Sequence, residues 1–123
     1  MKNKFNNLNW HDAQIQSIYI DRNDPGKNDQ IVLIIIWPNK KMSELIFKDC
    51  YAFKAKMNFG IIADETILDA EYTEVSEDIN EIRRAWIKIG ANLNDLGRYK
   101  IETNSTNSMI LIYACDLMIK DCP

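Results

Sequence analysis

His11 is the only histidine in the chain, and Asp12 follows it directly. A histidine beside a carboxylate is the commonest start of a general-base pair, but catalysis also needs a nucleophile or second base within hydrogen-bond reach. Neighbours on a strand point to opposite faces, so His11 and Asp12 make a poor dyad. The sequence contains no G-x-S-x-G and no second histidine. Read structurally, His11 and Asp12 cap the first strand and tie down the N-terminal segment, with Trp10 as the apolar anchor. Read chemically, Trp10, His11 and Asp12 line a small ligand or catalytic pocket. No residue is assigned a catalytic role.

Metal and cofactor chemistry find no better footing. A single histidine rules out His-rich zinc patterns, and Cys50, Cys115 and Cys122 lack C-x-x-C spacing. The odd count fits free thiols in a reducing compartment. The acidic residues after position 63 do not follow the alternating spacing of a calcium loop with its central glycine. No glycine-rich loop precedes a helix, so no phosphate cradle is present. Gly26, Gly60, Gly90 and Gly97 read as turn and cap residues. We expect no metal and no cofactor. Trp37 and Trp86 could stack a sugar or base, but both sit among apolar residues and read as core.

Charge placement carries more information. Asp64, Glu65, Asp69, Glu71, Glu74, Glu77, Asp78 and Glu81 fall in one window with no lysine or arginine. That window carries a formal charge of −8, against −3 for the whole chain. Such segregation projects an oriented field and suits a basic protein partner. It disfavours nucleic acid, because phosphate would be repelled. The first helical turn accounts for Glu77 and Asp78. The strand portion, Asp64, Glu65, Asp69, Glu71 and Glu74, is the candidate partner-binding surface. The competing reading is a solvated surface that keeps the protein soluble, neutralised by Arg83, Arg84, Lys54 or Lys56.

The elements that position these residues follow from periodicity. At 123 residues, 46% of them apolar and 27% charged, the chain is expected to be one domain over 1–123. Residues 13–21 read as a strand whose alternation changes phase, which a bulge near Ser17 would reconcile. Pro25-Gly26 makes a turn, and the apolar run 30–37 makes a central strand. Residues 43–49 form a third strand. Residues 50–59 fit either period; Cys50, Phe53 and Met57 fall at helical spacing with Asp49 as N-cap, and we favour a short helix there. Residues 65–74 give a strand. A helix over about 76–90 follows, capped by Ser76, with Ile79, Ile82, Ala85, Trp86, Ile89 and Leu93 on one stripe. Residues 98–103 and 108–119 close the order as a hairpin. The expected fold is α+β: an antiparallel sheet of five to six strands with one main amphipathic helix on one face.

No apolar run is long enough to span a bilayer, and the basic N-terminus lacks the apolar segment of a signal peptide. The expectation is a cytoplasmic protein with no membrane partner. Abundant Ile, Asn and Lys suit an AT-rich, bacterial genome.

The opening Trp10-His11-Asp12-Ala13, leading into the strand Gln14 to Asp21, resembles the start of several small bacterial families. These are uncharacterised proteins or immunity proteins of polymorphic toxin systems, in which a W/L-H-D-A/S opening precedes a β-rich domain. Leu45-Ile46-Phe47-Lys48-Asp49-Cys50 and the terminal hairpin are similar too. The resemblance implies a non-enzymatic binder that blocks a cognate toxin, and it transfers no catalytic residue. Two alternatives stand beside it: a small enzyme or ligand-binding domain at His11 and Asp12, and a structural homodimer formed through an exposed strand edge.

Overall fold

The computed structural model describes residues 2–123. Its elements are α1 (Lys2–Asn6), β1 (Gln14–Ile20), β2 (Ile31–Ile36), β3 (Met42–Lys56), β4 (Ile67–Thr73), α2 (Glu77–Ile87), β5 (Gly97–Thr103) and β6 (Met109–Asp121). The six strands form one antiparallel sheet in the order β1-β2-β3-β6-β5-β4. The α+β architecture read from the sequence is present, and it is mostly sheet.

The sheet curls because its two longest strands bend. β3 and β6 span fifteen and thirteen residues and pair along nearly their whole length. Their ladder slips between Cys50 and Ala52, where Asp49 adopts φ 53°. An inserted residue bends and twists the strand that carries it. Here the bend turns the outer strands toward each other. The start of β1 meets the start of β4: Asp12 N donates to Ile67 O (3.0 Å), Ile67 N to Ala13 O (2.7 Å) and Ile15 N to Glu65 O (2.9 Å). A sheet whose edges meet has fewer free backbone groups to offer another chain.

This bend corrects the reading of residues 50–59. They do not form a helix; β3 continues to Lys56 against Met109–Tyr113 of β6. Cys50 and Met57 do contact the core, which is why their spacing looked helical. The sheet period prevails because a partner ladder satisfies every main-chain group, which a short isolated helix cannot do. The phase change in β1 is met by a bulge between Ile15 and Ser17, as its alternation required.

Two apolar clusters result. Inside the curl, Leu33, Ile35, Leu45, Phe47, Ile67, Ile101, Ile110 and Ile112 are fully buried. Burying each such side chain contributes roughly 1.5–3 kcal/mol. Phe5, on a short helix absent from the sequence reading, enters this interior and meets Trp10 and Tyr99 at ring-centroid distances of 4.7 and 5.1 Å. Outside the curl, Ile79, Leu93, Leu96 and Tyr113 make a smaller cluster beneath α2.

α2 begins as expected. Ser76 caps it, accepting from Ile79 N, and Glu77 and Asp78 fill its first turn. The apolar stripe fares differently. Ile79 and Leu93 are buried and Ile82 is half-buried, but Ala85 and Ile89 are exposed and Trp86 retains 36% of its surface. The helix is held most closely at its N-terminal end, and its last turn reaches the sheet through Trp86 while Ala85, Ile87 and Ile89 stay exposed. There Trp86 meets the edge of Tyr51 at 4.9 Å.

Gly97 also departs from its expected role as a turn or cap. It opens β5, and a Cβ built on it would lie 2.3 Å from Cε1 of the buried Tyr72.

Candidate functional site

The outer face of the β5–β4 edge is where the acidic window turns into a surface. β4 carries its own slip between Ile67 and Asp69, which leaves Leu68 as an extra, exposed residue and directs Asp69 and Glu71 outward. The cross-strand register sets Asp69 opposite Glu102 and Glu71 opposite Lys100. Lys100 Nζ lies 2.9 Å from Glu102 Oε1. That ammonium, paired with Glu102, lines a depression of about 130 Å³ together with the three carboxylates of Asp69, Glu71 and Glu102. Like charges placed directly opposite on a sheet destabilise it, and Lys100 offsets the Asp69–Glu102 pairing only through its ion pair with Glu102.

The same face changes sign across the sheet. Successive registers line up Lys54, Leu111, Lys100 and Glu71 in one row, and Lys56, Met109, Glu102 and Asp69 in the next. The face runs from basic on β3 to acidic on β4. Lys54 is held there over the Tyr113 ring, 5.5 Å from its centroid. Neither Lys54 nor Lys56 sits in the same ladder pair as an acidic residue of β4, because two strands intervene.

Five of the other acidic residues of the window take structural tasks, while Glu81 is exposed on α2. Asp64 accepts a long hydrogen bond from Gln14 Nε2 (3.4 Å). Glu65 is half-buried and accepts from the Thr106 hydroxyl. Glu74 accepts from Tyr72 Oη (3.3 Å). Burial first, then the Glu74 charge, push the Tyr72 phenol up to about 12. Glu77 pairs with Arg84 at 2.8 Å. Of the five residues named from the sequence, only Asp69 and Glu71 share the outer face of the strand. Asp64 and Glu65 lie in the connection beside β1, and Glu74 lies past the end of β4.

Asp78 has the most demanding of these tasks, and sequence reasoning missed it. Its carboxylate accepts from Tyr113 Oη (2.5 Å), Arg98 Nη1 (3.0 Å), the backbone N of Ile79 (3.1 Å) and the Ser76 hydroxyl. Burial opposes its ionisation, but the bonds from Ser76, Tyr113 and Arg98 outweigh burial and hold the carboxyl well below the usual range. Burial and the bond to Asp78 push the Tyr113 phenol up to about 12. The partners are 20 and 35 residues away in sequence, a separation that carries no periodic signal.

Trp10, His11 and Asp12 lie where β1 meets β4. Trp10 is buried, donates its indole N–H to Phe5 O (2.7 Å) and packs edge-on against Trp37 at 5.2 Å. His11 Nδ1 is 3.2 Å from Leu68 O, and Asn6 Oδ1 accepts from Tyr72 N at 2.8 Å. These two side chains occupy main-chain positions on the outer edge of β4. Asp12 adopts φ 67°, a conformation aspartate tolerates better than most residues. The His11 ring is 68% exposed and borders an open hollow with Asn9, Trp37, Pro38 and Asn39. His11 and Asp12 approach no closer than 3.8 Å.

All three cysteines are free thiols and half-buried. Burial, eased by a backbone hydrogen bond at Ile31 and reinforced by the nearby Asp29 and Asp49 charges, pushes the Cys50 thiol up to about 12. The thiolate is the reactive form. At pH 8 Cys50 should therefore resist alkylation in the native protein and react at the free-thiol rate once unfolded. Mass spectrometry of peptides after timed iodoacetamide labelling checks this; rapid native labelling of Cys50 would contradict it.

Among the described residues no three His, Cys, Asp or Glu side chains gather as a metal site would require. No helix among them is long and apolar enough to cross a membrane. Comparison with protein-family models finds no match, and comparison with curated proteins finds none either.

Proposed function

We propose that this is a non-enzymatic binding protein of the immunity type, which neutralises a cognate toxin by covering a basic surface with its acidic β4–β5 face. The observation that carries the reading is the Asp69–Glu102 pair. Two carboxylates stand directly opposite each other, with Glu71 close by, and Lys100 is ion-paired with Glu102, leaving Asp69 and Glu71 without an ion pair among the described residues. A lysine or arginine from a partner would relieve that repulsion on docking. Exposed charges of this kind contribute little to the isolated fold, so their placement is better explained by association. The resemblance of the Trp10–Ala13 opening to immunity families points the same way, and a cytoplasmic setting suits such a role.

The acidic face would act mainly on encounter. Complementary charge steers diffusion and raises the association rate, and salt screens the effect over about 8 Å at physiological ionic strength. With the partner recovered from the native host, the Asp69→Lys/Glu71→Lys double variant should slow association by about 10-fold or more at low salt. The wild-type rate should fall with added salt, and the variant's rate should respond less. Surface plasmon resonance reads both. A partner whose association ignores charge reversal and salt would remove the acidic face from the interface.

A further inference from the structure

The connection between β3 and β4 carries three apolar side chains into solvent. Phe59 is 88% exposed, Ile61 51% and Ile62 103%. Monomeric proteins scatter single exposed apolar residues, but grouping three at one tip marks a contact surface.

This tip is held at its base. Asn58 N donates to Ser108 Oγ (3.0 Å), and Asn58 Nδ2 donates to Thr106 O (2.8 Å) and Asn107 O (3.0 Å). On the descending arm, Thr66 N donates to Ser105 Oγ (3.0 Å), Asn104 N donates to Thr66 O (3.0 Å), and the Thr106 hydroxyl donates to Glu65. Thr103, Thr106 and Ser108 are buried and hydrogen-bond one another. Both arms are therefore fastened to the β5–β6 turn. Gly60, at φ 89°, supplies the left-handed residue the tip needs. An anchored loop loses less conformational entropy on docking than a free one.

The surroundings select the occupant. Asp64 lies on the descending arm, and the row ending in Glu102 and Asp69 adjoins the turn that holds the loop; Lys56 is the basic member of that row. An anionic membrane would be repelled by this acidic rim. A second copy would bring two acidic rims together. We propose that Phe59, Ile61 and Ile62 are the apolar anchor of a protein interface, inserting into an apolar socket rimmed by lysine or arginine on the partner. The proposal rests on the binding-protein reading above and names the contact that would give it residence time, whereas the acidic face gives it speed.

The test uses the full chain with a photo-crosslinking residue at position 62, at 69, or at 28 on the distant β1–β2 turn, in lysate of the native host. One protein captured from 62 and 69 but not from 28 is expected. That protein, purified, should bind Phe59→Ser/Ile62→Ser about 30-fold or more weakly than wild type, mainly through faster dissociation. The double variant should melt at the wild-type temperature, because these side chains are exposed. Binding lost with Asp69→Lys but kept by the double variant overturns the anchor and leaves the acidic face standing. The reverse pattern keeps the anchor and removes the acidic face. No capture from 62 overturns the anchor. So does tip-dependent co-sedimentation with phosphatidylcholine/phosphatidylserine vesicles, or tip-dependent dimerisation in sedimentation runs of the protein alone.

Discussion

Replacing Asp78 by alanine is expected to cost about 3 kcal/mol of stability, because it strands partly buried donors that have no other acceptor among the described residues. Tyr113 Oη and Arg98 Nη1 both donate to Asp78 Oδ2, and the buried Arg98 Nε has no partner among the described residues. Removing the carboxylate leaves an uncompensated guanidinium whose side chain is 19% exposed. It also unfastens the N-terminal end of α2 from β5 and β6, the end through which Ile79 is buried. Asp78→Asn keeps an acceptor and should cost less, about 1 kcal/mol.

The loss has a defined pH dependence. The native carboxyl ionises below its unfolded value of 3.8, so the unfolded chain binds the proton first. The contribution of Asp78 is therefore fully present above pH 5 or so and fades as pH falls below the unfolded value toward the native one. Urea titrations of wild type and Asp78→Ala should differ most at pH 7, and the difference should begin to shrink as pH falls below the unfolded value of 3.8. A difference that stays constant down to pH 3 would show that packing, not ionisation, sets the cost.

Gly97→Ala is expected to destabilise by about 2–3 kcal/mol, the cost of forcing a methyl into a filled core. The new Cβ would fall 2.3 Å from Tyr72 Cε1 and Oη, and 2.5 Å from Cζ. Tyr72 cannot swing aside cheaply. It is 3% exposed, packs on Tyr99 with ring centroids 4.6 Å apart, and donates to Glu74. Backbone strain is not the cause, since Gly97 does not have positive φ. The two positions should couple: in a Tyr72→Ala background, Gly97→Ala should cost little. Thermal melts of the four proteins complete the cycle. Additive losses would place the strain elsewhere.

Both predictions bear on how the β4–β5 face is built. Tyr72 fixes β4 against β5 from the inside, while Asp69 and Glu71 project from the same strand to the outside. Asp78 fixes the helix that follows. If the acidic face binds a partner, its geometry is set by an interior contact at Gly97 and a polar junction at Asp78, not by the acidic residues themselves. A variant of either interior residue would weaken binding without touching the surface, and a stability measurement must accompany any binding measurement there.

What local order could specify was legible in the chain. The apolar runs at 30–37 and 108–119, the Pro25-Gly26 turn, the Asn104–Asn107 turn and the Ser76 cap depend on neighbours a few residues apart, and each formed its element, although the 30–37 strand lies beside β1 while β3 and β6 take the centre of the sheet. The charge segregation was legible for the same reason. Residues 50–59 were not, because their helical and strand periods are both satisfied locally and only the β6 ladder decides between them. The stripe on α2 misled because periodicity shows which side chains share a face, not whether a surface reaches them; the sheet reaches Ile79 and stops short of Ile89. The acidic window looked continuous in sequence, yet tertiary structure split it. Strand alternation and the β4 slip sent Asp69 and Glu71 outward, while hydrogen bonds to Thr106, Tyr113 and Arg98 drew Glu65 and Asp78 inward. Sequence alone determined how many negative charges this region carries. Only the fold decided which of them are spent on holding it together and which remain on the surface, because that depends on donors brought in from 20 to 41 residues away.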